Sequence, residues 1–513
     1  MGMDGNRSVD YPQTVRRWDV FEVVVNGPAD GNPFAEQSLR GVFAGRDETV
    51  EAEGFYDGDG VYRVRFMPSF PGAYAFSIRG SFLPEPLEGR FTALPAASHG
   101  PVRVHNTFHF AYADGTPYYS VGTTCYVWAL QSDALVEQTL QTLAGSAFNK
   151  IRFCVFPKHY VYNLLEPRSY PFAGTPMDSS VLTPENFTEY NEDSAGSDWD
   201  FSRFNPLHFR HLERCIGRLA ELNIEADLIL FHPYDRWGFS RMTAEQDAFY
   251  LRYLLARFSA YRNVWWSLAN EYDVMRHKTL RDWETIAQVI CDHDPYRHLR
   301  SIHNCIHRYD YTRPWVTHCS VQRTELYQSA EYTDRWREQY QKPVVLDEIA
   351  YEGDLPDGWG SLTGEEMLRR FWECALRGGY PGHGETLLGH GGVLWWSHGG
   401  ALHGESHKRF AFLADVLGET LGIGLQVSPR RGWDELCAIP QELPFQGGYY
   451  LYYYSFMRPS SRVFHLDDDT PYEVTVLDTW NMTRQPMGVH RGKFRVALPA
   501  RPYIAVQLKR VSP

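Results

Sequence analysis

The chain lacks the C-x-x-C and H-E-x-x-H pairs that mark redox and zinc motifs. It has only 8 cysteines among 513 residues, and no two of them form a C-x-x-C pair. It also contains no H-E-x-x-H pair, the arrangement that places catalytic zinc on one face of a helix. We therefore predict no metal ion and no cofactor, and we expect most cysteines to be small buried hydrophobic residues.

Long apolar runs and clusters of basic residues are missing as well. No stretch reaches the roughly 20 apolar residues of a transmembrane helix, and residues 1–20 contain no apolar core of a signal peptide. The 50 Lys and Arg residues stand against 63 Asp and Glu residues, for a net charge of −13. This balance disfavours nucleic acid and membranes as partners. We expect a cytoplasmic protein with reduced thiols, and the pattern leaves a homo-oligomer possible.

Aromatic residues are abundant. The 15 Trp, 32 Tyr and 30 Phe residues make up 15% of the chain. A large aromatic core would account for many of them. Sugar-binding clefts also use flat apolar rings against the C–H faces of pyranoses, so composition alone leaves both explanations open.

The order of strand-like and helix-like segments predicts three domains. Residues 14–95 are short alternating strands separated by Gly, Pro and Asp turns, which is typical of an immunoglobulin-like sandwich. In the middle of the chain, apolar runs alternate with helical stretches, which indicates a parallel sheet. We predict a multidomain fold, α/β plus all-β. It has an N-terminal Ig-like β-sandwich over residues 1–98, a central (β/α)8 TIM barrel over 99–422 and a C-terminal β-sandwich over 423–513.

Eight apolar runs are candidates for the barrel strands. They are 118–124, 148–153, 225–231, 263–270, 299–304, 315–320, 343–350 and 392–400. In such a barrel, catalytic side chains lie at the carboxyl ends of the strands. The segment 154–200 follows the second run and is expected to lie over the barrel mouth as a loop.

Two of these runs end in a glutamate. Asn270 and Glu271 close the fourth run; the amide can bind a sugar 2-hydroxyl, and the neighbouring carboxyl group can protonate the leaving oxygen. Asp347 and Glu348 close the seventh run, and we favour Glu348 as the nucleophile because its side chain reaches further. Arg152 ends the second run and could keep Glu348 ionised. The structural alternatives are that Glu271 caps a helix and that Arg152 forms an ordinary salt bridge.

These residues resemble the clan of (β/α)8 retaining glycosidases whose catalytic glutamates lie on strands four and seven. The resemblance covers about residues 105–422. It implies a retaining reaction with Glu271 as acid/base and Glu348 as nucleophile. It also implies that a tryptophan of strand eight, Trp395 or Trp396, lies beneath the cleaved sugar.

The three-part layout is similar to a group of glycosidases with an N-terminal sandwich, an apiosidase-like barrel and a small C-terminal β-domain. The runs H-G-E-T at 383–386 and W-W-S-H-G-G at 395–400 carry this similarity. The strand-six region departs from cellulase-like relatives, since it has His318 and Cys319 and no clear tyrosine partner for the nucleophile. The resemblance therefore says less about the substrate than about the chemistry.

Further polar and aromatic residues fall near predicted strand ends and are expected around the substrate. They are Tyr126, Trp128, His232, Tyr234, Asp235, His303, Asn304, His318, Glu385 and His398. A lone histidine at such a place often serves the structure alone, so we expect about half of these residues to touch the substrate. Tyr126 and Trp128 could equally belong to the core, and Glu385 could bind sugar hydroxyls or rival the catalytic pair.

The sequence thus predicts a retaining glycoside hydrolase that acts on oligosaccharides or other glycosides from plant or microbial polysaccharides. Two alternatives stay open. A non-catalytic carbohydrate-binding protein would share the β-domains and the aromatic residues, although it does not explain two strand-end glutamates. A transglycosylase would use the same residues and differ only in whether water or a sugar enters second.

Overall fold

The computed structural model describes residues 9–420, 424–429, 432–441, 447–466 and 469–511. Three groups of elements follow one another along the chain. The first and the last are built from β-strands, and the middle one alternates strands and helices. None of the described helices has the length and apolar character that crossing a membrane requires.

The first group consists of β-strands and one short helix within residues 9–94. The strands are Val9–Asp10, Thr14–Arg16, Phe21–Asn26, Leu39–Ala44, Thr49–Tyr56, Val61–Phe66, Gly72–Gly80 and Leu87–Leu94, and the helix is Pro33–Glu36. Strand Thr49–Tyr56 pairs with both Leu39–Ala44 and Val61–Phe66, so it connects the two halves of the sheet. Inward-facing side chains alternate with outward ones along the strands, as Phe21, Val23 and Val25 show.

Eight parallel strands form the central sheet. In chain order they are Gly122–Thr124, Lys150–Cys154, Glu225–Phe231, Val264–Ala269, Arg300–Ser301, Cys319–Gln322, Val344–Glu348 and Tyr380–His383, and we number them barrel strands 1 to 8. Strand 8 pairs with strand 1, and a parallel bridge between His303 and Ser320 joins the chain after strand 5 to strand 6. The sheet therefore curls into a nearly closed barrel.

Helices surround this sheet, and their first residues explain where they begin. The α-helices are Asp133–Ala144, Pro206–Glu221, Ala244–Phe258, Leu280–His293, Thr333–Tyr340, Gly364–Leu376, Trp395–His398 and Phe410–Gly418. The 3-10 helices are Trp128–Leu130, Phe187–Glu189, Phe239–Arg241, Tyr272–Val274, Ala330–Tyr332, Gly358–Gly360 and Ser406–Arg409. Thr243 and Thr279 each close a capping box with the residue three positions later, which satisfies amide groups at the helix start.

Short accessory strands cover both ends of the barrel. Val102–His105, His109–Tyr112 and Pro117–Tyr118 form an antiparallel sheet. Its Phe110 packs on Trp265, the second residue of strand 4, and so closes the amino end. At the carboxyl end, Phe172–Thr175 pairs with Asp198–Phe204, and Glu352–Gly353 pairs with Glu385–Thr386.

Two of the predicted barrel strands are wrong. Strand 6 begins at Cys319 rather than at 315, so His318 lies at the amino end, where its ring contacts Phe110 and Trp265. Strand 8 is Tyr380–His383, whereas Trp395–His398 in the predicted strand 392–400 is a single helical turn. A short apolar run is compatible with a buried strand or a buried helix, so periodicity could not separate them.

The last group is again built from strands. They are Leu425–Val427, Leu436–Pro440, Tyr449–Tyr453, Ser461–His465, Tyr472–Asp478, Thr483–His490, Lys493–Ala497 and Ile504–Arg510. Six of them form an antiparallel sheet, and Ser461–His465 pairs with Lys493–Ala497 separately. The group packs on the barrel helix Gly364–Leu376, where Trp372 stacks on Tyr453.

Candidate active site

A pocket of about 210 Å³ opens at the carboxyl ends of the barrel strands. Aromatic and ionisable side chains line it together. They are Tyr126, Lys158, Tyr160, Tyr234, Glu271, Cys305, Gln322, Thr324, Glu348, Tyr351, Trp359 and Trp396. The two glutamates singled out in the sequence therefore face one cavity.

Glu271 follows strand 4 in a left-handed backbone conformation, with φ 50°. This conformation costs a non-glycine residue about 1–2 kcal/mol, and strain of this kind is often found at functional sites. The Tyr234 hydroxyl donates a hydrogen bond to its Oε2. Burial and the charge of Glu348 raise the pKa of Glu271, although Tyr234 and Lys158 act against them. Its carboxyl group therefore tends to keep a proton, as a general acid must.

Glu348, the last residue of strand 7, has the opposite tendency. Its Oε1 accepts a hydrogen bond from the Tyr126 hydroxyl. The same oxygen lies 3.3 Å from Nη1 of Arg152 and 3.2 Å from Nε2 of His303. Burial would raise the pKa of Glu348, but the hydrogen bond and charge of His303, with the charge of Arg152, outweigh it and lower that pKa to about 2. The carboxylate is thus kept ionised, as a nucleophile requires.

Both ring nitrogens of His303 lie within hydrogen-bond distance of side-chain oxygens. Ser320 donates to Asp347 over 2.6 Å, so the serine oxygen can accept from His303 Nδ1, which lies 3.0 Å away. The other ring nitrogen faces the carboxylate of Glu348. Both ring nitrogens therefore lie beside oxygen atoms, and this geometry fixes the orientation of the ring next to Glu348.

Asn270 and Tyr126 lie between the two glutamates: Asn270 precedes Glu271 in the chain, and Tyr126 contacts Glu348. The Tyr126 hydroxyl lies 3.2 Å from Oδ1 of Asn270 while it also contacts Glu348. The Nδ2 group of Asn270 is buried and has no hydrogen-bond partner within the described part of the chain. An unpaired buried donor costs about 1–3 kcal/mol, so a substrate hydroxyl that accepts from it would be well placed.

Lys158 is a site residue that sequence reasoning missed. It lies in the loop after strand 2, and its Nζ is 3.4 Å from the ring centroid of Tyr126 and 4.1 Å from that of Tyr234. Burial lowers the pKa of Lys158 to about 8, and among the described residues no carboxylate forms an ion pair with it. The only sequence signal was a lysine amid aromatic residues in the segment expected to cover the mouth.

Aromatic rings form the wall opposite the carboxylates. The Trp396 ring lies 5.2 Å from that of Trp359 and 5.7 Å from that of Tyr160, measured between centroids. Trp395, its neighbour, is turned away; its Nε1 donates to Thr123 over 2.8 Å, and the residue is buried in the core. Of the two tryptophans considered from the sequence, Trp396 is the one that faces the pocket.

Several residues expected around the substrate do not line this pocket. Trp128 packs on Phe153 in the core. His232 and Asn304 are buried beneath the pocket wall, where Nδ2 of Asn304 donates to the backbone of Gln322. Asp235 accepts the amides of residues 237, 238 and 240, and His398 accepts the amide of Leu394.

His318 and Glu385 are also away from the pocket. His318 lies at the far end of the barrel because strand 6 starts after it, and this corrects its expected position at the mouth. Glu385 is buried and accepts the amides of His403 and Gly404. Asp347 lies inside the barrel, 2.7 Å from Nζ of Lys150, so the structure gives it a salt-bridge partner there.

A nearly closed eight-stranded barrel with two buried carboxylates at its mouth, one tending to keep a proton and one held ionised, is the arrangement of a barrel glycoside hydrolase. Comparison with known families agrees with this class, since the family described as "Apiosidase-like, catalytic domain" matches residues 104–435. The chain therefore belongs to the Apiosidase-like family. Flanking residues 14–81 and 433–509 match two domains of unknown function, DUF5060 and DUF5605.

Solved structures that resemble this chain are also described as glycoside hydrolases. A candidate glycoside hydrolase from Bacteroides vulgatus ATCC 8482 is 35% identical, with a TM-score of 0.89 over 98% of this chain and 100% of that one. A structure described as a glycoside hydrolase is 14% identical, with a TM-score of 0.58 over 81% of this chain and 98% of that one; this second likeness shows the fold alone. No curated protein matches the chain.

Proposed function

We propose that this protein is a retaining glycoside hydrolase that cleaves O-glycosidic bonds in oligosaccharides or other glycosides by double displacement. Glu271 is the acid/base and Glu348 is the nucleophile. The observation that carries the proposal is the contrast between their environments in one pocket: Glu348 is bonded by Tyr126, Arg152 and His303, whereas the pKa of Glu271 is raised by burial and by the charge of Glu348.

In the first step, the Glu271 carboxyl group donates its proton to the glycosidic oxygen while a Glu348 oxygen attacks the anomeric carbon. The three donors described above all approach Oε1 of Glu348, so we assign the attack to Oε2. The bond to the leaving group breaks and a glycosyl ester forms. In the second step, Glu271 removes a proton from water, the water oxygen attacks the same carbon, and Glu348 leaves.

Asn270 and three residues that line the pocket take supporting roles in this proposal. Asn270 donates through Nδ2 to the sugar 2-hydroxyl, a bond that strengthens in the transition state. Trp396 and Trp359 hold the apolar face of the sugar. Tyr234 fixes the orientation of Glu271.

The test is a panel of aryl glycosides, namely arabinoside, xyloside, galactoside, glucoside and apioside, with release of the phenol as the readout. We expect hydrolysis of at least one substrate by the wild type, and a fall of about 10²–10⁴-fold in kcat/KM for Glu271→Gln and at least as large a fall for Glu348→Gln. Glu225→Gln is the matched control, because this glutamate is equally buried but lies at the start of strand 3.

Full activity of Glu348→Gln would contradict the assignment. Calorimetric binding of a glycoside without turnover by the wild type would instead favour a non-catalytic carbohydrate-binding protein. Transfer of the sugar to an added acceptor in preference to water would indicate a transglycosylase.

We further propose the division into units at 1–98, 99–422 and 423–513, with the outer two as β-sandwiches and the first of them immunoglobulin-like. The separate hydrophobic clusters of the first and last groups support this division. A cytoplasmic location also stays a proposal, and it is supported by eight cysteines that are all free of disulfides.

A further inference from the structure

A second group of ionisable side chains lies outside the pocket. It consists of Glu352, His383 and Glu385, which we call the Glu352 cluster. Each residue offers one ligand atom, and the three atoms lie within 4.8 Å of one another. All three residues are buried, and the proposed reaction uses none of them. Strand pairing fixes the arrangement, because Glu352 lies opposite Glu385 in a parallel pair and His383 ends barrel strand 8.

The two carboxylates bring negative charge together without a basic partner. In the part of the chain that the structure describes, neither forms an ion pair with lysine or arginine, and the nearest basic nitrogen is Nδ1 of His407, 4.0 Å from Oε2 of Glu385. Instead they accept the amides of four successive residues, His403 to Ser406. The Ser406 hydroxyl also donates to Glu352. These bonds satisfy part of each carboxylate and leave further lone pairs, while no lysine or arginine of the described residues balances the paired charge.

The imidazoles supply the independent observation that points to a ligand. His383 is fully buried, and a nitrogen of its ring lies within 4.8 Å of a carboxylate oxygen of each glutamate. Its Nε2 has no hydrogen-bond partner within the described residues. Its Nδ1 is 3.1 Å from the hydroxyl oxygen of Thr123, a contact that can accept the Nδ1 proton and leave Nε2 with a free lone pair. Nδ1 of His407 is also buried and has no hydrogen-bond partner in the described part of the chain.

We propose that the Glu352 cluster binds one divalent transition-metal ion of the Zn²⁺ or Mn²⁺ type. Two carboxylates would neutralise its charge, and His383 and His407 would complete the ligand set. Mixed imidazole and carboxylate ligands suit these ions, whereas Mg²⁺ and Ca²⁺ prefer oxygen alone. This site departs from the sequence prediction of no metal, because its ligands are not spaced as a short motif.

The ion would have a structural role and would not act on the substrate. The amides of residues 403–406 bond to the two carboxylates, so metal binding would fasten this loop to barrel strand 8. The Thr123 hydroxyl contacts both His383 and Nε1 of Trp395. The ion would thereby steady the helical turn Trp395–His398, which presents Trp396 to the pocket.

The test uses the full chain, stripped with a chelator and titrated with Zn²⁺ alone. We expect one equivalent by elemental analysis and calorimetry, a rise of several degrees in Tm on saturation, and a return to the lower Tm on chelation. Ca²⁺ and Mg²⁺ should not substitute. His383→Gln and Glu385→Gln should each weaken Zn²⁺ binding by about 100-fold, and circular dichroism of the stripped variants shows whether they fold.

The control variant is His390→Gln, because exposed His390 stacks on His403 with 3.6 Å between ring centroids and could capture zinc at the surface. It should leave the stoichiometry unchanged. The proposal is overturned if Zn²⁺ binding is lost in His390→Gln and kept in His383→Gln. It is equally overturned if the stripped wild type takes up no metal and the metal-free Glu385→Gln variant has a higher Tm than the metal-free wild type. In that case a proton shared between Glu352 and Glu385 would balance the two carboxylates.

Discussion

At the scale of single residues, the pocket separates two carboxyl groups by what surrounds them. Glu348 accepts from Tyr126, Arg152 and His303, and these donors outweigh the effect of burial on its pKa. Glu271 accepts a hydrogen bond from Tyr234 and is repelled by Glu348. Two chemically identical side chains thus acquire opposite tendencies to hold a proton because their surroundings differ.

Lys158 gives a prediction about pH. Its positive charge lowers the pKa of Glu271, so Lys158→Met should allow Glu271 to keep its proton to higher pH. We expect the alkaline limb of the kcat/KM profile on an aryl glycoside to move upward. The acidic limb, set by Glu348, should move in the same direction by less, because Glu348 is already bonded by three donors.

The matched control is Lys493→Met, which removes an exposed lysine from the C-terminal strands. Its profile should coincide with that of the wild type. An alkaline limb that stays in place, or moves downward, in Lys158→Met would show that the ammonium group does not act on Glu271.

The sequence identified part of the pocket and missed the rest for physical reasons. Glu271 and Glu348 were recognisable because each lies at the carboxyl end of an apolar strand, and a strand end has a defined place in a barrel. Lys158, Tyr160 and Trp359 lie in irregular segments, whose path over the mouth depends on tertiary contacts that no periodicity encodes.

At the scale of elements, a buried ionic layer fills the barrel beneath the pocket. Lys150 on strand 2 lies 2.8 Å from Asp227 on strand 3 and 2.7 Å from Asp347 on strand 7. Burial would raise the pKa of Asp347, but the charges of Lys150 and Arg152 lower it well below its usual range. One ammonium group thereby joins three strands of the barrel.

Lys150→Met should destabilise the protein by about 3–5 kcal/mol, since it leaves two buried carboxylates without their common partner. Urea unfolding followed by circular dichroism measures this change. Arg40→Met is the control, because the Arg40–Glu51 pair is exposed and should contribute at most about 1 kcal/mol. Equal losses of unfolding free energy in the two variants would mean that the buried ionic layer stabilises the protein no more than an exposed ion pair does.

Strand 8 shows where prediction of elements failed. Tyr380–His383 is four residues long and contains proline and glycine, features that normally indicate a turn. The run that was predicted to be strand 8, 392–400, contains several apolar residues. Its two tryptophans are buried, but they belong to a helical turn. A buried strand and a buried helical turn need the same apolar residues, so the sequence pattern did not identify the type of element.

At the scale of the whole molecule, ion pairs fasten the N-terminal group to the barrel. Asp57 accepts from Arg257 on one barrel helix and from Arg210 on another. Burial would raise the pKa of Asp57, but the charge and hydrogen bond of Arg257, the hydrogen bond of Arg63 and the charge of Arg210 keep it below the ordinary value of 3.8. A depressed carboxyl pKa adds stability above the unfolded value and loses it as pH falls through the folded value.

Asp57→Asn should therefore destabilise the protein at pH 7 by about 3 kcal/mol, and the deficit should shrink below about pH 4 as the wild-type carboxylate is protonated. Scanning calorimetry at several pH values measures both effects. Asp30→Asn, which alters an exposed aspartate of the same group, should have no measurable effect. A deficit that stays constant down to acid pH would contradict the assigned charge state of Asp57.

The central claim is that Glu348 attacks the sugar while Glu271 moves the proton. It is tested most directly by the anomeric configuration of the glycosyl azide formed when azide rescues two variants on an activated aryl glycoside. Glu348→Gly should yield the configuration opposite to that of the substrate, because azide enters from the vacated face. Glu271→Ala should yield the substrate's own configuration, because azide attacks the glycosyl-enzyme. The same configuration from both variants, or unassisted wild-type turnover by Glu348→Gly, would contradict the account.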